Sequence, residues 1–373
     1  MQKIIYLDNA ATMPMNKKTV EKSAVFLETD FFNPSAGYSG GANISKQIAK
    51  VRESILKRLS DSGNLIFTGS ATEANNYIIS AGHKNKRGDI IISKGEHPSI
   101  MATATASGAN IKYVGLKNDG TVDEAELLKL VDSNTALVSI FHTSNETGAV
   151  NDIGRLAQKV KKINPNAVFC SDGVQTFCKY EYKLGADIDL YSISAHKIGG
   201  AKGIGGLYIK KGLNLKPLLY GGGQEGGLRS GTENVYGIMS FGYAIENFEN
   251  GKQSLRNHFV QMLEKQRKES VEKGKPFEYT INGNSDWIVS ISFEGLKGEI
   301  IQRILGQKGI YVGRGSACSS KIGGNKTLEA MKIPKKLVDG SIRISFGPQN
   351  SIEEVTVTAK ELADTVCQLR QTD

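Results

Sequence analysis

The sequence predicts an α/β fold in which a mainly parallel central sheet is covered by helices and followed by a smaller α+β unit. Three observations lead there. Between about residues 60 and 210, short apolar runs rich in Ile, Val and Phe alternate with amphipathic stretches. A glycine-rich stretch then interrupts the pattern, and beyond it short strands mix with helices. The length, 373 residues, leaves room for one large domain and a second, smaller one.

The runs are NLIFTG (64–69), DIIISK (89–94), IKYVGL (111–116), ALVSIF (136–141), AVFCSD (167–172), DLYSIS (189–194) and GGLYIK (205–210). Between them TEANNYIISAG, DEAELLKLV and DIGRLAQKVKKI read as helices. Strands alternating with helices favour a parallel sheet buried on both faces. Such sheets take ligands at the carboxyl ends of their strands, so the residues closing each run are where chemistry is sought. The stretch YGGGQEGGLRSGTEN (220–234) is too rich in turn formers for an element interior. One long helix is expected near 235–270, then strands in WIVSISF (287–293) and SIRISF (341–346). In the last helix Ser351 and Glu354 fit a capping box, and Ile352, Val355, Ala359, Leu362, Val366 and Leu369 recur at helical spacing.

Composition narrows the function classes. With 39% hydrophobic and 23% charged residues the chain is an ordinary globular protein. The N-terminus lacks a long apolar segment and no stretch approaches a membrane span, so a cytoplasmic enzyme is expected. The formal net charge of +9 suits an acidic protein partner, but no dense Lys/Arg run or aromatic-interleaved basic motif appears, and direct nucleic-acid binding is not expected. The four cysteines, Cys170, Cys178, Cys318 and Cys367, form no C-x-x-C pair and have no histidines at zinc-finger spacing. Cys170 lies within an apolar run and Cys367 beside an apolar stripe, where packing is the expected role.

The strand ends carry the chemistry. After NLIFTG, the Gly69-Ser70-Ala71-Thr72 turn before a helix offers free amides and hydroxyls to a phosphate, or is simply a helix cap. Glu96-His97-Pro98 follows DIIISK, Asn145-Glu146-Thr147-Gly148 follows ALVSIF, and Asp172 closes AVFCSD with Gln175 beyond it. DLYSIS runs into Ser194-Ala195-His196-Lys197. Together these match what a pyridine-aldehyde phosphate requires. Lys197 supplies an amine for the aldehyde, Asp172 a carboxylate for the ring nitrogen, and Gln175 a donor to the phenolic oxygen. His97 supplies a flat partner for the ring, and Thr72, Ser194 and His196 supply phosphate donors.

In these segments the chain resembles the class V aminotransferases of fold type I, and within them the cysteine desulfurases. The resemblance is carried by YLDNAAT (6–12), FFNPSA (31–36), GSATEANN (69–76), EH (96–97), SNETGAVNDI (144–153), SDGVQTF (171–177), SISAHKIGGAKGIGGLYI (192–209), GGGQEGGLRSGTEN (221–234), GRGSACSS (313–320) and SIRISFG (341–347). It implies pyridoxal 5′-phosphate on Lys197, with Ala71, Thr72, His97, Asp172, Gln175, Ser194 and His196 around it. It also implies a homodimer, because the equivalent of Thr232 reaches the phosphate from the neighbouring subunit. Asn145 lies near the substrate carboxylate and Arg343 pairs with it, a planar fork suited to that task. The large cofactor-binding domain is expected over 15–250. The small domain would comprise 1–14 and 251–373 and carry a mobile loop around Cys318.

Cys318 matches the family's sulfur-accepting cysteine and sits among small residues that favour an exposed loop. The reaction implied takes sulfur from L-cysteine, leaves L-alanine and forms a persulfide on Cys318. His97 and Lys197 serve as proton carriers, and the sulfur passes to an acceptor protein, an iron–sulfur cluster scaffold or a tRNA thiolation enzyme. Rival readings are selenocysteine lyase, a related lyase on the same cofactor, and a non-catalytic sulfur-transfer scaffold. Several positions depart from the family pattern: Met13, the GYSGG segment (37–41), Ala201, Cys178 where relatives often have glycine, and Arg314. Arg314 is either a cation that lowers the Cys318 pKa or docks an acidic acceptor, or a plain surface charge.

Overall fold

The seven apolar runs pair into one sheet in a computed structural model that describes residues 4–85, 88–248, 254–315 and 325–371, with backbone only at 81–85 and 254. From one edge to the other the strands are Asn64–Thr68, Gly205–Ile209, Leu190–Ser194, Val168–Asp172, Thr135–Ser139, Asp89–Ser93 and Ile111–Val114. The last five run parallel, whereas Gly205–Ile209 is antiparallel to both its neighbours. Ile90, Ile91 and Ile92 are fully buried, as expected for a strand covered on both faces. Helices Ala71–Asn85 and Pro98–Ala106 cover one face, and Ser39–Leu59, Ile153–Ile163 and Val235–Asn247 pack on the other.

A second apolar core lies apart from this sheet. Strands Ser341–Ser345, Ile288–Ser292 and Thr280–Asn282 form an antiparallel sheet, and Ile5–Leu7 pairs in parallel with Ile310–Val312. Helices Ser254–Glu272, Gly298–Gln307 and Ile352–Leu369 pack with them, so Ile5 and Leu7 share a core with Leu255 and Val366. The capping box of Ser351 and Glu354 is present. Val355, Ala359, Leu362 and Val366 are buried, whereas Ile352 at the first helical position is exposed.

The single helix expected near 235–270 is instead two, Val235–Asn247 and Ser254–Glu272. The first ends where Phe248 turns extended at φ −77°, ψ 114°. Apolar residues continue across the break because each helix faces its own core, Ile238 and Phe241 the first and Leu255 and Phe259 the second.

Cys170 is fully buried, with its thiol against the Val138 carbonyl at 3.3 Å. Cys178 is buried at φ 62°, the left-handed region that favours glycine, so a cysteine is held there against its backbone preference. Ala201 donates its N–H to Ser240 Oγ at 3.1 Å, a bond that a proline at this position could not make. Among the described residues no helix is long and apolar enough to cross a membrane.

Candidate active site

A cavity of about 310 Å³ opens at the carboxyl ends of the parallel strands. Its wall includes Ala71, Thr72, His97, Asn145, Asp172, Gln175, Ser194, His196, Lys197 and Arg343. The structure therefore brings together the site residues expected from sequence, with two exceptions. Thr232 lies exposed in the glycine-rich stretch, outside the cavity wall. Cys318 falls outside the described residues.

The Gly69-Ser70-Ala71-Thr72 turn is shaped by a close approach. A Cβ on Gly205 would stand 2.7 Å from the Ser70 carbonyl carbon and 2.8 Å from the Ala71 nitrogen, so glycine there lets the Ala71–Asn85 helix start directly on the sheet. Glu73 accepts from the Gly69 N–H at 2.8 Å and pairs with Arg229 at 2.9 Å, fixing the glycine-rich stretch to this turn. Glu225, from the same stretch, takes both arms of Arg52 and the Phe67 N–H.

Asp172 ends its strand with Oδ1 accepting from the Val174 N–H at 3.0 Å and Oδ2 from Asn75 Nδ2 at 2.9 Å. Gln175 donates Nε2 to the Ala10 carbonyl at 2.9 Å, while its Oε1 accepts from Lys179 Nζ at 2.8 Å. That bond fixes which end of the amide faces Ala10. Lys179 is fully enclosed, and burial, reinforced by Lys197 and Arg343, pushes its amine down to about 7.

His97 is the N-cap of the Pro98–Ala106 helix, with Nδ1 accepting from the Ser99 N–H at 3.1 Å. Burial lowers its pKa, opposed by Asp172. Next to it Glu96 is buried with Oε1 on the Phe141 N–H at 2.6 Å, stitching the ends of two adjacent strands together. Lys197 donates to the Ala10 and Ala11 carbonyls at 2.6 Å each. His196 meets Thr12 Oγ1 at 3.0 Å, and burial, reinforced by Lys197, Lys202 and Lys179, takes its imidazole down to about 4. The N-terminal strap, residues 8–12, thus crosses the site.

Arg343 comes from the second core. Its Nη2 reaches Asp8 Oδ1 and its Nη1 the Asn145 carbonyl, both at 2.6 Å, while its buried Nε has no partner among the described residues. The backbone of Arg343 exchanges two 2.8 Å hydrogen bonds with Gly313, which leads in sequence toward Cys318. Arg314 pairs with Glu299 at 3.2 Å, so its charge already has a carboxylate partner.

Sequence reasoning missed Asn75, Ser99, Lys179 and Asp8. Three of them lie beside a residue that it did find: Asn75 three positions after Thr72, Ser99 two after His97, and Lys179 four after Gln175. Of these, the three- and four-residue spacings bring side chains together on a helix or turn and are a usable signal. Asp8 had none, since its partner is 335 residues away.

The sequence model of the aminotransferase class-V family matches residues 5–357. A cysteine desulfurase IscS of Dictyoglomus turgidum is 35% identical over 99% of this chain and 96% of its own. Among solved structures, a NifS-like protein superposes with a TM-score of 0.85 at 31% identity, covering 100% of both chains. Another, SspA in complex with cysteine, gives 0.78 at 27% identity over 93% of this chain and 100% of its own. The chain belongs to the class-V aminotransferase family and, within it, to the cysteine desulfurases.

Proposed function

We propose that this chain is a pyridoxal 5′-phosphate-dependent cysteine desulfurase. It converts L-cysteine and the Cys318 thiol into L-alanine and a Cys318 persulfide. The observation that carries this reading is the meeting of Lys197, Asp172, Gln175, His97 and Arg343 in one cavity, from four separate segments.

The donor set fits the cofactor. The Gly205 close approach leaves the Ala71–Asn85 helix N-terminus open beside Thr72, Ser194 and His196, a seat suited to a phosphate. Asp172 would hold the pyridine nitrogen through its carboxylate, Gln175 would offer its amide donor, His97 would contribute a flat ring to the pocket, and Lys197 would be the attachment point. When bound, the cofactor supplies an electron sink for charge developing at the substrate Cα.

The chain's own residues do the rest. Arg343, held by Asp8 and Asn145, offers its unpartnered Nε to the substrate carboxylate. Lys197 Nζ, beside Ala10 and Ala11, takes and returns the Cα proton. Cys318 attacks the substrate sulfur as its thiolate, so the carbon–sulfur bond breaks as the sulfur–sulfur bond forms. Thr232 completes the phosphate seat of the partner subunit in a homodimer, consistent with its exposure on a stretch anchored by two ion pairs. The persulfide passes to a cytoplasmic acceptor protein, a cluster scaffold or a tRNA thiolation enzyme. The purified protein is expected to be yellow and to release alanine from L-cysteine one-for-one with transferable sulfur. A colourless protein that releases no alanine when supplied with the cofactor overturns the reading.

A further inference from the structure

We infer that Asn75 and Ser99 are positioning residues through which the Asp172 carboxylate fixes His97 as the Nε2–H tautomer, a hydrogen-bond donor into the cavity. The inference deepens the reading above, but its geometry stands on the chain alone. Asn75 is 1% exposed and its Nδ2 lies 2.9 Å from both Asp172 Oδ2 and Ser99 Oγ. An ionised carboxylate only accepts, so the Asn75 amide must turn its N–H groups toward it. Its Oδ1 is left buried and without a partner among the described residues, which is the cost of that orientation.

The polarity then propagates. Ser99 Oγ accepts from Asn75, so its own hydrogen is available to His97 Nδ1, 2.8 Å away. The Ser99 backbone N–H, which can only donate, points at the same nitrogen from 3.1 Å. Two donors on Nδ1 leave no place for a proton there, and the neutral ring must carry its hydrogen on Nε2. Burial independently disfavours the doubly protonated ring. His97 is thus a donor to whatever occupies the cavity and cannot accept a proton without breaking its helix cap. Of the two proton carriers expected from sequence, only Lys197 is left to accept one. The Cα–H bonding pair stays with carbon and the proton goes to the Lys197 amine.

The test is nitrogen-15 NMR of histidine-labelled protein, with and without cofactor. The chain has 5 histidines, and the His97 signals are assigned by their loss in His97→Asn. Wild type should show Nδ1 unprotonated and Nε2 protonated at neutral pH. Ser99→Ala keeps the backbone cap but loses the hydroxyl, and should raise the Nδ1–H share by roughly five-fold, the factor for one neutral hydrogen bond. Ser99→Thr should restore the wild-type ratio. Asn75→Ala leaves both His97 and Ser99 in place and should shift the ratio the same way by a smaller factor of about two. A merely structural role would not move these shifts. A wild-type His97 protonated on Nδ1, or a Ser99→Ala protein with the wild-type ratio, overturns the inference. Protein with the predicted tautomer pattern that makes no alanine from cysteine supports it and overturns only the desulfurase reading.

Discussion

The floor and the roof of the cavity are built differently. On the floor, Thr72, His97, Asp172 and Ser194 each sit where a strand of the large sheet ends or a helix begins, and their positions follow from one sheet. The roof is assembled across the chain: Arg343 reaches over 198 residues to Asn145 and over 335 to Asp8. A floor fixed by a sheet buried on both faces suits a cofactor held through many turnovers. A roof drawn from the second core and the N-terminal strap suits the recognition of a substrate that comes and goes.

The two regions should therefore fail differently. The largest effect belongs to the floor: Lys197→Ala should abolish the visible absorption of the bound cofactor and lower alanine formation by roughly 10⁴-fold, the upper range for losing a positioned proton carrier. Absorption and turnover are read on the same sample, and retention of either contradicts the assignment. On the roof, Arg343→Gln should retain the absorption yet lower kcat/KM for cysteine by roughly 10²-fold, as expected for a buried charged contact. It also strands Asp8 without its partner, so thermal unfolding should come earlier. Loss of the absorption in this variant would mean that floor and roof are not separable.

Lys179 lies beneath Gln175, where the floor carries an enclosed amine. Its folded value of about 7 lies below the ordinary 10.5, so the unfolded chain holds that proton more tightly. Wild-type stability should accordingly gain a rising contribution from this group between about pH 7 and pH 10.5, and that contribution should vanish in Lys179→Met. At neutral pH Lys179→Met should be stabilised by roughly 1–2 kcal/mol through loss of a buried charge while binding cofactor less well, since Gln175 loses its anchor. Chemical denaturation across that pH range checks both statements. The smallest effect is expected for Glu73→Gln. It weakens the partly buried pair with Arg229 that fastens the glycine-rich stretch to the phosphate turn, and cofactor affinity should fall only a few-fold, about 1 kcal/mol. A calorimetric titration of cofactor into the apoprotein reads it.

Legibility from sequence divides along the same line. Asp172 and Lys197 could be found because a parallel sheet presents its ligands at strand ends: Asp172 closes a recognisable apolar run and Lys197 follows one by three residues. Asn75 and Ser99 read as ordinary helix-start polar residues, since Asn and Ser are favoured there for capping alone. The four-residue spacing of Lys179 from Gln175 is visible in the sequence, but its burial is not, since Trp287, which donates its indole N–H to the Lys179 carbonyl, lies 108 residues away. The pairing of Asp8 with Arg343 had no local signature at all. The break between the helices ending at Asn247 and starting at Ser254 was hidden for a related reason: apolar spacing runs through it, and only the tertiary structure assigns its halves to different cores.

The claim that joins floor, roof and the sequence around Cys318 is that sulfur leaves cysteine onto that thiol. The most direct measurement is mass spectrometry of the cofactor-loaded protein after a single turnover with L-cysteine, with alanine quantified in the same reaction. The account predicts one added sulfur on the peptide containing Cys318, matched by one alanine, and neither persulfide nor catalytic turnover in Cys318→Ser. Alanine formed at the wild-type rate by Cys318→Ser, or sulfur found on Cys367 instead, would contradict it.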